Sequence, residues 1–222
     1  MVCGSLEAYD RFVARYVDVT GVPFLSVDYR LAPEFPGTTL VDDSHIALVW
    51  LVDHAEQLGI DADRIAVMGD SGGGGVAAGV AIAARDAGTP LAKQILMNPM
   101  LDDRNLEPDA ELAPFALWTY DNNYTGWHAL LGDDLGTDGV SPLAAPSRLK
   151  DFRGLAPAFI DVGEIDIFRD ENILYALGLL RAGVSCELYV RAGSLHGFDR
   201  LAPEARVAMA SWDDRCRAIK AI

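Results

Sequence analysis

Gly69-Asp70-Ser71-Gly72-Gly73 joins a compact apolar run, Ile65–Met68, to a stretch read as helix, Gly72–Ala87. A strand that turns into a helix this sharply needs glycine beside the turn, because a side chain there would clash with it. The join restricts the chain to α/β architectures, and the wider pattern agrees. Apolar runs of strand length alternate with helical periodicity, which points to a largely parallel sheet with helices on both faces.

The other elements follow the same rules. Ser5 caps a first helix whose apolar positions Leu6, Tyr9, Phe12, Val13 and Tyr16 share one face, and Thr20-Gly21 ends it. Val22–Tyr29 reads as a short apolar strand. Leu40, Ala47, Leu48 and Leu51 recur at helical spacing, and Ile95–Met97 is a further strand. From Leu101 to Pro157 the rhythm breaks into a long proline-studded stretch with one helix over Tyr120–Leu131; connections of this length are commonly lids or binding loops. The rhythm resumes with strand Ala158–Val162, a helix bearing Ile173, Leu174, Leu177 and Leu180, and the alternating strand Val184–Val190. A last helix carries Ala205, Met209, Trp212, Cys216 and Ile219 on a stripe read as core packing.

With 222 residues and half of them apolar, the chain can build one domain around a real core. The longest apolar run, Val76–Ala84, is too short to cross a bilayer, and Met1–Asp10 lacks the basic flank and apolar stretch of a secretory signal. A net charge of −15 disfavours nucleic acid and anionic membranes as partners. Its plain reading is solubility; steering of a cationic ligand is the alternative. Cys3, Cys186 and Cys216 are odd in number and widely spaced, which suits a reducing, cytoplasmic setting and no disulfide or metal set.

The chemistry centres on Ser71. Gly-x-Ser-x-Gly between strand and helix exposes and orients a hydroxyl that is otherwise a poor nucleophile, and sets the Gly72 N–H where it can donate to an oxyanion. A phosphate-binding loop is disfavoured, since no lysine stands at the required spacing. Of four histidines, His45, His54 and His128 lie within helices and read as surface or packing residues. His196 follows the last strand, in a loop that can lean over the carboxyl edge of the sheet. Asp161, Glu164, Asp166 and Asp170 compete for the acid. Asp161 is inside a strand and Asp170 begins a helix, so Asp166 is preferred, with Glu164 in reserve.

Gly69-Asp70-Ser71-Gly72-Gly73, Asp166-Ile167-Phe168-Arg169-Asp170-Glu171 and His196-Gly197-Phe198 together resemble the bacterial hormone-sensitive lipase family of esterases. Asp28-Tyr29-Arg30-Leu31-Ala32-Pro33-Glu34 and Ser141-Pro142-Leu143 add to the likeness, which runs the length of the chain. The resemblance implies an α/β-hydrolase catalytic domain over 1–222, with a lid insertion at about 101–157. It implies Ser71 as nucleophile, His196 as base and Asp166 as the residue that orients it, acting without metal or cofactor on short to medium acyl esters. Asp70, Phe115, Trp118, Tyr120 and Trp127 are assigned to the substrate pocket; the alternative for the aromatics is that they pack the lid.

One departure shapes the expectations. Family members carry a His-Gly-Gly-Gly motif directly before a stretch resembling Met1-Val2-Cys3-Gly4-Ser5, and its N–H groups complete the oxyanion hole. The sequence starts past that motif, the strand before it and part of the cap. One lost oxyanion donor costs ~10²–10³ in rate, about 2.7–4 kcal/mol. The expectation is therefore a shortened, aggregation-prone domain, with either a gap beside Val22–Tyr29 or a displaced strand. An impaired fragment or a non-catalytic small-molecule receptor on the same fold is the rival reading. Amidase and peptidase chemistry stay open, as does a homodimer.

Overall fold

The computed structural model describes all 222 residues. Its centre is a four-stranded parallel sheet: β1 (Ala66–Asp70), β2 (Lys93–Met97), β3 (Ala158–Gly163) and β4 (Cys186–Arg191), side by side in chain order. The helices are α1 (Leu6–Thr20), α2 (Thr39–Asp53), α3 (Ala55–Leu58), α4 (Gly72–Ala87), α5 (Tyr120–Leu131), α6 (Arg169–Arg181), α7 (Phe198–Leu201) and α8 (Arg206–Lys220).

Strand periodicity divides the core between two faces. The register pairs Ile95 with Phe159, and both meet Tyr16 of α1 with Cys216 and Ile219 of α8. The alternate pair, Leu96 and Ile160, packs with Ala77, Ala78 and Ile82 of α4 and with Tyr175 and Leu179 of α6. The expected alternation of strand and helix therefore builds three layers.

Local signals set the helix ends. Ser5 Oγ accepts from the Ala8 N–H at 3.3 Å, and Gly21 closes α1 in the left-handed region at φ 71°. Tyr16 then stacks on Trp212 at 4.3 Å, which pins α1 to α8.

Two expectations need correction, and one apolar set turns out to face away from the core. Val22–Tyr29 is not a strand: no backbone N–H in it pairs with another backbone group, and the Val22 N–H goes to Thr20 Oγ1 instead. No strand lies beside it to complete a ladder. Between this segment and β1 lies an apolar cavity of about 730 Å³, walled by Val22, Phe24, Val27, Val67 and Met68 and reaching Ser71. An open cavity, rather than a paired strand, therefore borders β1 on this side. The α6 residues Ile173, Leu174, Leu177 and Leu180 point outward, Leu174 being 62 % exposed, while Glu171, Asn172, Tyr175, Ala176 and Leu179 face the core. Second, α8 buries Ser211 and Arg215 and leaves Met209 exposed. The reason is Asp161 of β3, which is fully buried on the α8 face and accepts from Ser211, from Arg215 Nε at 2.8 Å and from Arg191 Nε at 2.6 Å. A buried carboxylate needs that many donors.

The excursion over 101–157 does not stand off as a separate layer. Leu112, Tyr120, Trp127, Leu130 and Val140 join the core cluster that contains Val76 and Val80 of α4. Arg148 closes it from within by a two-pronged pair with buried Asp103, at 2.7 and 2.8 Å.

Candidate active site

Ser71 sits between β1 and α4 with φ 56° and ψ −121°, a conformation that L-residues rarely adopt. The surroundings hold it there. Its N–H donates to the Met97 carbonyl at 2.8 Å, and its carbonyl accepts from Gly74 at 2.9 Å and Met100 at 3.0 Å. A Cβ on Gly69 would lie 2.1 Å from the Gly73 carbonyl oxygen, so glycine is obligatory at 69. At Gly73 the nearest atom to such a Cβ is Tyr29 Oη at 3.5 Å, ordinary contact, so the requirement expected at both flanks holds at only one. Gly72 begins α4, and first-turn N–H groups have no intrahelical acceptor.

Two loops bring the other side chains over Ser71 at the carboxyl end of the strands. His196 follows β4 and Asp166 follows β3. His196 Nε2 lies 3.0 Å from Ser71 Oγ, and Nδ1 lies 2.7 Å from Asp166 Oδ2. The second Asp166 oxygen accepts the Phe168 N–H at 3.0 Å, and the Phe168 ring meets the imidazole edge-on at 5.2 Å. Asp166 is 1 % exposed, so its charge acts through little solvent. The competing acids have other work. Glu164 accepts the Gly193 N–H at 2.8 Å, and Asp170 pairs with Arg169 on the helix surface.

The assigned pocket residues divide. Asp70 and Trp118 line the cavity beside Ser71. Tyr120 and Trp127 do not: they are 7 % and 0 % exposed, part of the core under α5, where ring burial outweighs any contact with a ligand. Phe115 is 51 % exposed on a short 3-10 turn away from the cavity.

Sequence reasoning gave no role of their own to three further residues. Asn98 adopts φ 42° and is buried with its amide unpaired. Glu171 is buried, accepting from Leu101 N at 2.6 Å and Asn105 Nδ2 at 2.9 Å; burial pushes its carboxyl well above the usual range, against the pull of those donors. Arg200 pairs with Asp70. The polar partners of Glu171 and Arg200 lie far away in sequence and the Asn98 amide has none, so local spacing does not reveal what these side chains do.

A family model described as "alpha/beta hydrolase fold" matches residues 1–200. The chain belongs to that α/β-hydrolase family. Within it, the chain is 37 % identical over 199 residues to carboxylesterase NlhH of Mycobacterium tuberculosis, covering 88 % of this chain and 62 % of the relative. It is 33 % identical over 211 residues to an ethyl acetate hydrolase of Pseudomonas putida, covering 90 % and 63 %. Among solved structures, a bacterial heroin esterase superposes with a TM-score of 0.92 at 41 % identity, over 99 % of this chain and 70 % of that one. The chain thus spans somewhat under two thirds of the curated relatives it matches.

Proposed function

We propose that this chain carries the catalytic core of a serine carboxylesterase. The observation that carries the reading is the unbroken relay from Asp166 through both ring nitrogens of His196 to Ser71 Oγ, at 2.7 and 3.0 Å. Ser71 Oγ attacks the ester carbonyl while His196 Nε2 takes its proton. Asp166 fixes the tautomer and stabilises the imidazolium. The oxyanion of the tetrahedral intermediate is stabilised by the Gly72 N–H at the start of α4. Collapse breaks the ester C–O bond, His196 protonates the departing alkoxide, and water then releases the acyl group by the same proton path.

Short to medium acyl esters are the proposed substrates, supported by relatives named carboxylesterase and ethyl acetate hydrolase. Trp118 and Met100, which line the cavity near Ser71, supply apolar surface for the acyl chain. The exposed stripe of α6 supports self-association as a homodimer, and three unbridged cysteines support a reducing, cytoplasmic setting. No helix is long and apolar enough to cross a membrane.

A p-nitrophenyl ester panel with a fluorophosphonate label tests the assignment. Label on Ser71 alone, and a loss of ~10⁴–10⁶ in turnover for Ser71→Ala, are the expected results. Label on another serine, or an active Ser71→Ala variant, overturns it. A second reading, a core that acylates but turns over slowly, is favoured by the open cavity beside Ser71. It would give stoichiometric labelling with little turnover.

A further inference from the structure

The nucleophile and the base are tied together by side chains that do not take part in proton transfer. Asp70 directly precedes Ser71, and Arg200 stands on α7, four residues after His196. The two form an ion pair in which the Asp70 side chain is 8 % exposed and that of Arg200 35 %. Tyr9 of α1 closes the triangle: its hydroxyl donates to Asp70 Oδ2 at 3.2 Å and accepts from Arg200 Nη2 at 3.1 Å. The guanidinium also lies 5.1 Å from the Tyr9 ring and 5.3 Å from the Phe12 ring, within cation–π range. Neither Asp70 nor Arg200 hydrogen-bonds to Ser71 Oγ or to the His196 ring.

The geometry calls for such a tie. Ser71 and His196 are 125 residues apart and sit on different loops, yet their contact is held at 3.0 Å. On its N-terminal side the histidine loop is fixed by the Gly193 N–H on Glu164 and by the Ile165 N–H on the Ser194 carbonyl. On its C-terminal side the ties are Asp199 to Arg215 and Arg200 to Asp70. The first runs to the β3 network. The second runs straight to the residue beside the nucleophile.

We propose that the Asp70–Arg200 pair, closed by Tyr9, is a latch that registers His196 against Ser71, which makes these three positioning residues. The proposal rests on the serine-hydrolase reading. A misplacement of about 1 Å between reacting groups costs on the order of 10²-fold in rate, so a latch of this kind acts on kcat and leaves substrate binding nearly alone.

The test compares the parent chain with Arg200→Gln, Arg200→Lys, Asp70→Asn and the Asp70→Asn/Arg200→Gln double variant. Rates are expressed per Ser71 titrated by fluorophosphonate, so unfolded material does not count. Arg200→Gln and Asp70→Asn are each expected to lose on the order of 10²-fold in kcat, Arg200→Gln with KM little changed. The double variant is expected to be no worse than either single, because one interaction is removed once. Arg200→Lys is expected to recover most of the loss. An unchanged kcat in Arg200→Gln, additive losses in the double variant, or a loss carried by KM overturns the latch while leaving the hydrolase reading intact. An Arg200→Lys variant as slow as Arg200→Gln overturns it as well. If Ser71 of the parent takes no label, the hydrolase reading fails and the latch falls with it.

Discussion

β4 and β1 are the two outer strands of one sheet, and they meet their surroundings differently. β4 carries Glu187 and Arg191, engaged with Arg217 and with Asp161 and Asp214, which is the charged dressing that protects an edge from pairing with other chains. β1 presents Ala66, Val67, Met68 and Gly69 before its first charge at Asp70, and all five residues are only half-buried. Near-continuous apolar sequence is what a strand flanked on both sides has. An edge position and an interior composition coincide in β1, and the cavity toward Val22–Tyr29 is where the two disagree. The site straddles this divide: Ser71 hangs from the open side, Asp166 and His196 from the closed side.

The largest effect that would sharpen the contrast is at Asp161. Removing it leaves Arg215, 2 % exposed, without its partner in β3, and breaking a buried pair costs ~3–5 kcal/mol. The matching truncation in the open half, Met68→Ala, is expected to cost only about 1 kcal/mol, because its side chain already borders the cavity. Urea denaturation of both variants checks this. Equal losses would mean the two halves are equally consolidated.

A smaller effect distinguishes the halves by pH. Glu171 belongs to the closed half, and burial holds its carboxyl well above the usual range. Folding therefore favours its protonated form. That stabilisation is complete below the unfolded-chain value of about 4.3 and is lost as pH rises through the folded value. Glu171→Gln should lack this slope, so the stability difference between parent and variant should change steadily as pH rises through the window. Parallel stability curves would show that Leu101, Asp102 and Asn105 already hold the residue ionised.

The smallest effect is chemical. Cys3 is exposed and lines the cavity, whereas Cys186 on β4 has its thiol pushed up to about 12 by burial, and Cys216 is buried. A maleimide at neutral pH should take one fast equivalent, at Cys3, read by mass spectrometry. Fast modification of Cys186 would mean that the β4 edge opens as readily as β1.

What the sequence disclosed and what it hid follow from the range of the interactions. Ser5, Gly21 and the turn at Ser71 are local devices, so their positions could be read directly, and α4 and α5 fall at the expected bounds. His196 and Asp166 were legible because strand order puts the loops after β3 and β4 at the same edge as Ser71. Val22–Tyr29 has strand composition, but a strand is made by its neighbour, and composition does not reveal an absent one. Tyr120 and Trp127 failed as pocket residues because an aromatic ring reads alike in a core and in a cleft. Arg215 stayed hidden because a charge on a helix reads as solvated until its buried partner is known.

Asp161 and Asp166 stand five residues apart, one inside β3 and the other in the loop that leaves it. The first holds α8 and, through Arg215, the helix after His196; the second faces His196 itself. One short stretch therefore carries both a fully buried ionic anchor of the fold and the carboxylate that meets His196. A displacement of β3 large enough to free Asp161 would carry the start of the Asp166 loop with it, so the seating of α8 and the Asp166–His196 contact hang on one segment.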